Sequence, residues 1–234
     1  MKMRHILSII LAVVVFFIGI AYSSDARSVS FEVGAGVDHY SIVSNGTWYQ
    51  TGVPDYSLTQ NGRPYLVGLT GDHMVTDRIG LAWHADYVNL GHARSYCYCT
   101  TIDADYNRTT HALAPGAPMA LYSGDGMVQG IKLSGAPYYT FGPYKVGAEF
   151  GLLYYRPTWV ESVYGWPIPG TNVRINATLH TPDNPLWGPY FGTFVKRGHW
   201  TASYGYYWLP VHPNQYNVPP LYTGSQALIL SYDF

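Results

Sequence analysis

Along residues 78–90, Ile79, Leu81, Trp83, Ala85 and Tyr87 alternate with Arg78, Gly80, Ala82, His84 and Asp86. A period of two puts the two sets on opposite faces of a β-strand, one greasy and the other small or charged. Residues 29–40 repeat the pattern, with Val29, Phe31, Val33, Ala35 and Val37 opposite Ser30, Glu32, Gly34, Gly36 and Asp38. So do residues 144–155, with Val146, Ala148, Phe150 and Leu152 opposite Lys145, Gly147, Glu149 and Gly151. No segment past the amino-terminal region is a long apolar run, so the chain must bury its surface through sheets.

The alternation predicts eight strands, at residues 29–40, 65–71, 78–90, 127–136, 144–155, 189–196, 200–208 and 221–234. The second alternates weakly and the sixth is ambiguous in phase. The fourth opposes Ile131 and Leu133 to Gly130, Lys132 and Ser134. The last sets Leu228, Leu230, Tyr232 and Phe234 against Ala227, Ile229, Ser231 and Asp233. Connections alternate in length: short around 73–77, 137–143 and 197–199, and long over 41–64, 91–126, 156–188 and 209–220. Membrane barrels show this segregation, with short periplasmic turns and longer outer loops.

Only 12% of residues are charged, about half the usual share for a soluble domain, while 23 Tyr, 7 Trp and 25 Gly are high counts. Hydrocarbon offers no partner to a backbone N–H or C=O, so a membrane chain without apolar helices must close its sheet. Tyr and Trp then serve as interfacial girdles. A soluble Tyr-rich sandwich or barrel is the competing class, but it would put charge outside and apolar groups inside. Here charge shares the glycine face, which suits a narrow lumen. Glu32, Arg78, His84, Asp86, Lys132, Lys145 and Glu149 are therefore expected to form an internal polar network.

At the amino terminus, Lys2 and Arg4 precede an apolar stretch over residues 6–22 and then small and polar residues, the layout of a secretory signal peptide. Cleavage is expected after residue 23, or after 26, leaving one barrel domain over 24–234. Loss of Lys2 and Arg4 leaves 11 basic against 14 acidic side chains, and nothing points to a nucleic-acid partner.

On the signal peptide, the alternating strands with short and long connections, and the aromatic end at Tyr232 and Phe234, the chain resembles the small outer-membrane β-barrels that include the OmpA transmembrane domain, OmpX, OmpW and the opacity-type proteins. The resemblance implies an eight-stranded antiparallel transmembrane barrel with short periplasmic turns and four long outer loops. It implies outer-membrane lipids and lipopolysaccharide as surroundings, and a barrel-assembly machinery that reads Leu228, Leu230, Tyr232 and Phe234.

Function in that group is varied. The chain is expected to be a surface-exposed structural or binding protein, adhesin- or receptor-like, with a side-chain-filled lumen. Alternatives are a narrow pore past Gly34, Gly36, Gly68, Gly80, Gly130, Gly147 and Gly151, and a lipid A-modifying enzyme. For catalysis, His199 with Thr201 and Ser203, and His84 with Asp86, complete no nucleophile motif. An extracellular ligand would meet loop aromatics, among them Trp48, Tyr49, Tyr106 and Trp166. Cys97 and Cys99, the only cysteines of an exported chain, suggest a disulfide; with His92 and His111 they match no metal-site spacing, and no cofactor motif is present.

Overall fold

The computed structural model describes residues 29–42, 50, 52–53, 55–107, 109–168, 170–180, 184–210 and 222–234. The expected signal peptide lies outside them. Eight antiparallel strands close into a ring: β1 (Ser30–Ile42), β2 (Tyr65–Met74), β3 (Ile79–Thr100), β4 (Met119–Phe141), β5 (Tyr144–Pro167), β6 (Leu186–Arg197), β7 (Trp200–Trp208) and β8 (Tyr222–Asp233). Each pairs with its sequence neighbours, and β8 returns to β1 in a ladder that runs from Glu32↔Asp233 to Ile42↔Tyr222. Closure leaves the ring without an edge, so every ladder has a partner on both sides.

The three short turns fall where the sequence placed them. Gly142 and Gly198 adopt φ of 56° and 57°, which a tight turn asks of glycine. At the turn before β3, Thr76 Oγ1 accepts from the N–H groups of Arg78 and Ile79.

The other end differs from expectation. β3, β4 and β5 run 22, 23 and 24 residues, so much of the sequence between 91 and 126 and between 156 and 188 is strand, not loop. A bulge between Asn89 and His92, with Gly91 at φ 80°, switches the inward positions of β3 from even (Ala82, Asp86, Val88) to odd (Ala93, Ser95, Cys97). A period-two pattern breaks at such a phase change, which is why the strand looked finished at Leu90. In β5 the break is Pro157, which lacks an N–H. It stands where β6 has ended, opposite Tyr155, and before the added strand Arg174–His180 begins to pair opposite Val160.

Outward faces carry a band of large apolar side chains, with Phe150 52%, Leu228 53% and Leu230 52% exposed. Aromatic pairs bound it. On the turn side Trp200 packs on Tyr232 at 5.0 Å and Tyr232 on Phe234 at 5.1 Å. On the loop side Tyr65 meets Tyr87 at 6.2 Å, and Tyr154 meets Trp187 at 4.6 Å. Above them the outward positions turn polar at Arg156 and at Arg94, whose Nε donates to Asp125 at 2.8 Å.

Candidate functional site

Inward positions of the ring meet in two layers. The lower is polar, and one rung of the ladder supplies most of it: Glu32 pairs with Gly68, Gly68 with Asp86, and Asp86 with Lys132 across β1 to β4. Lys132 Nζ donates to Glu149 Oε1 at 2.7 Å and lies 3.1 Å from Asp86 Oδ2. Ser134 and Tyr190 hydroxyls donate to the two oxygens of Glu149 at 2.5 and 3.1 Å. His84 Nδ1 donates to Glu32 Oε2 at 3.0 Å, and Ser231 Oγ to Glu32 Oε1 at 2.5 Å. Glu32, Lys132 and Glu149 survive burial because they are paired and hydrogen-bonded, while Asp86 has only its ion pair with Lys132.

The upper layer is aromatic. Tyr190 packs on Tyr207 at 4.6 Å between ring centroids, Tyr40 on Tyr222 at 4.9 Å, and Trp159 on Tyr222 at 6.3 Å, all essentially without solvent exposure. Tyr40 braces the wall by donating to Gly91 O at 2.9 Å and accepting from Val128 N–H at 3.1 Å. Glycines make room for these groups: a Cβ at Gly205 would strike Tyr190, one at Gly126 would strike Trp159, and one at Gly80 would strike Tyr138. Of the glycines proposed to open a path, Gly34, Gly68, Gly80, Gly147 and Gly151 are crowded by side chains, whereas Gly36 and Gly130 face the backbone of the adjacent strand. Neighbouring atoms stand within 3.0 Å of where a Cβ would sit at each of Gly34, Gly36, Gly68, Gly80, Gly130, Gly147 and Gly151.

Two members of the expected network lie elsewhere. Arg78 is exposed at the turn before β3 and donates to Tyr139 OH at 3.1 Å. Lys145 is inward but pairs with Asp72 and Tyr138 at the turn-side mouth. Both sit too far down their strands to share the central rung. That mouth holds a cavity of about 310 Å³, lined in part by Asp72, His84, Lys145, Lys196, His199 and Asp233. Lys196 Nζ is 3.1 Å from Asp233 there.

Leu228, Leu230 and Phe234 point outward, while Ser231 and Asp233 point into the lumen, as the terminal alternation predicts. Of the loop aromatics, Trp48 and Tyr49 lie outside the described residues. Tyr106 is buried, and Trp166 is partly buried against the cluster of Cys97, Cys99 and Tyr122. The outer strands instead expose Tyr96, Tyr98 and Tyr164. Cys97 and Cys99 share the inward face with Cα atoms 5.3 Å apart and sulfurs in contact, within reach of a disulfide.

His84 bonds to Glu32, not Asp86, and His199 Nδ1 donates to Asp233 O at 2.8 Å. Ser203 Oγ is directed at Ile229 O, 3.5 Å away. Among the described residues no hydroxyl is hydrogen-bonded to either imidazole. Above the apolar band, Glu161 is buried beside Trp159, whose Nε1 donates to it at 2.6 Å; burial pushes its carboxyl up to about 7.

These features define a closed eight-stranded antiparallel barrel with a filled interior and an apolar exterior. No protein-family model matches the chain, and no curated protein matches it. Among solved structures the chain is similar to Ail, the attachment invasion locus protein of Yersinia pestis, crystallised with the heparin analogue sucrose octasulfate; identity is 10%, the TM-score 0.37, and the match covers 89% of this chain and 100% of Ail.

Proposed function

We propose that the chain is an integral barrel of a bacterial outer membrane, exported by a cleaved signal peptide, acting as a surface-exposed structural or binding protein. One observation carries the reading: an apolar, aromatic-bounded exterior surrounds an interior blocked by two layers of side chains. A soluble barrel gains nothing from that inversion, whereas hydrocarbon rewards it. Lipid and lipopolysaccharide would cover the band. Leu228, Leu230, Tyr232 and Phe234 would be the positions read during assembly. Tyr96, Tyr98 and Tyr164, raised above the band on long strands, suit an extracellular ligand.

A pore would need a route past Tyr40, Trp159, Tyr190 and Tyr207, all buried. In planar bilayers the folded protein is expected to show no stable unitary openings; discrete steady conductance would sink the plugged-lumen reading. Cells displaying the barrel are expected to adhere to arrays of matrix proteins and glycans, and to lose that adhesion in a Tyr96→Ser/Tyr98→Ser/Tyr164→Ser variant. Equal adhesion by the variant would contradict the assigned surface. Lipid A masses are expected to stay unchanged on expression, and a new mass would favour an enzyme.

A further inference from the structure

With Arg78 and Lys145 engaged elsewhere, the central rung holds three carboxylates, Glu32, Asp86 and Glu149, against one ammonium, Lys132, plus His84. Even with His84 protonated this buried cluster keeps a negative formal charge, three carboxylates against two cations, an imbalance the interior does not tolerate without a partner. Hydroxyls of Ser134, Ser231 and Tyr190 donate to Glu149 and Glu32, but Asp86 receives none. Its side chain is fully buried, neither oxygen accepts a hydrogen bond among the described residues, and only Oδ2 approaches Lys132. Asp86 Oδ1 overlies Gly68, the residue that separates it from Glu32 in the same rung.

One ligand atom each from Glu32, His84 and Asp86 lies within 4.8 Å of the other two. We propose that this triad holds a divalent transition-metal ion, Zn²⁺ by the chemistry of its donors, at the centre of the barrel. Imidazole nitrogen and carboxylate oxygen are both zinc donors, and three protein ligands leave a fourth position for water. An all-oxygen ion such as Ca²⁺ or Mg²⁺ gains nothing from the imidazole. The ion would replace the proton between His84 Nδ1 and Glu32 Oε2, now 3.0 Å apart, and its two charges would neutralise the cluster. His84 also lines the turn-side cavity, which gives the ion a route from the periplasm. Sequence spacing offered no such motif because the ligands come from β1 and β3, 52 residues apart.

The test uses the untagged full-length barrel, folded in detergent, stripped with a chelator and dialysed against Zn²⁺. One tightly held ion per chain is expected, with affinity at least tenfold weaker in Glu32→Gln and Asp86→Asn and unchanged in His180→Asn, which alters an exposed histidine away from the turn-side cavity. Absence of stoichiometric binding, or undiminished binding in folded Glu32→Gln and Asp86→Asn, overturns the proposal. Should those variants fail to fold, X-ray absorption at the zinc edge of the wild type decides: one histidine among oxygen ligands supports the site, and a shell of several histidines refutes it.

Discussion

Tyr190 donates its hydroxyl to Glu149 Oε2 at 3.1 Å while its ring lies 4.7 Å from Lys132 Nζ, so one side chain bolts the aromatic layer to the charged one. The ion pair beneath it, Lys132 with Glu149 and Asp86, has almost no solvent contact. Removing one partner of such a group costs far more than the pair is worth, because the other charges stay buried. Lys132→Met is expected to destabilise the barrel by ~3–5 kcal/mol. The check is the urea unfolding midpoint in lipid vesicles, and a change below about 1 kcal/mol would contradict the assignment.

Gly91 at φ 80° shapes the bulge that changes the phase of β3, and a Cβ there would meet Arg63 N and the Gly62 backbone. Gly91→Ala is expected to cost about 1–3 kcal/mol through strain and to loosen the outer half of β3. Hydrogen exchange should rise first from Ala93 outward, and unchanged protection there would argue against the bulge as a pivot.

Glu161 ties stability to pH. Its folded carboxyl sits at about 7 against an ordinary value of 4.5, so the folded state binds the proton more tightly than the unfolded chain. Its contribution is fully present below about 4.5 and is lost as pH rises towards 7, by at most ~3 kcal/mol. Glu161→Gln should remove that slope, making the variant the more stable protein at pH 8 and nearly equal to wild type at pH 4. Parallel pH profiles of the two would contradict the burial argument.

The chain end closes the ring: Phe234 N–H donates to Phe31 O at 3.0 Å, and the two rings lie 6.1 Å apart. Deleting Phe234 removes an outward aromatic and one backbone hydrogen bond to β1. Export should persist while assembled barrel falls several-fold, read as the folded fraction in isolated outer membranes. Normal assembly would remove Phe234 from the recognised face.

Strands whose alternation stays in phase could be read from sequence, β7 to the residue at Trp200–Trp208, because outward Trp and Tyr alternate there with small groups. The outer halves of β3 and β5 could not, since Gly91 and Pro157 interrupt the local pattern that tertiary pairing continues. Within the lumen, Glu32, Asp86, Lys132 and Glu149 were legible as one charged face. Which base serves which acid depends on height along the axis, and that separates Lys145 and Arg78 from the rung. The aromatic plug was hidden because Tyr40, Tyr190 and Tyr207 resemble girdle residues by type. Their inward phase, opposite glycines such as Gly205, was the available signal.

The proposed residence of this closed, plugged barrel in an outer membrane has a simple check. Electrophoresis of outer-membrane fractions, with and without boiling, tests it most directly. The protein is expected in that fraction, with a faster compact form in unheated sample that converts to the full-length mobility on boiling. Recovery from the soluble periplasm, with one mobility under both conditions, would contradict it.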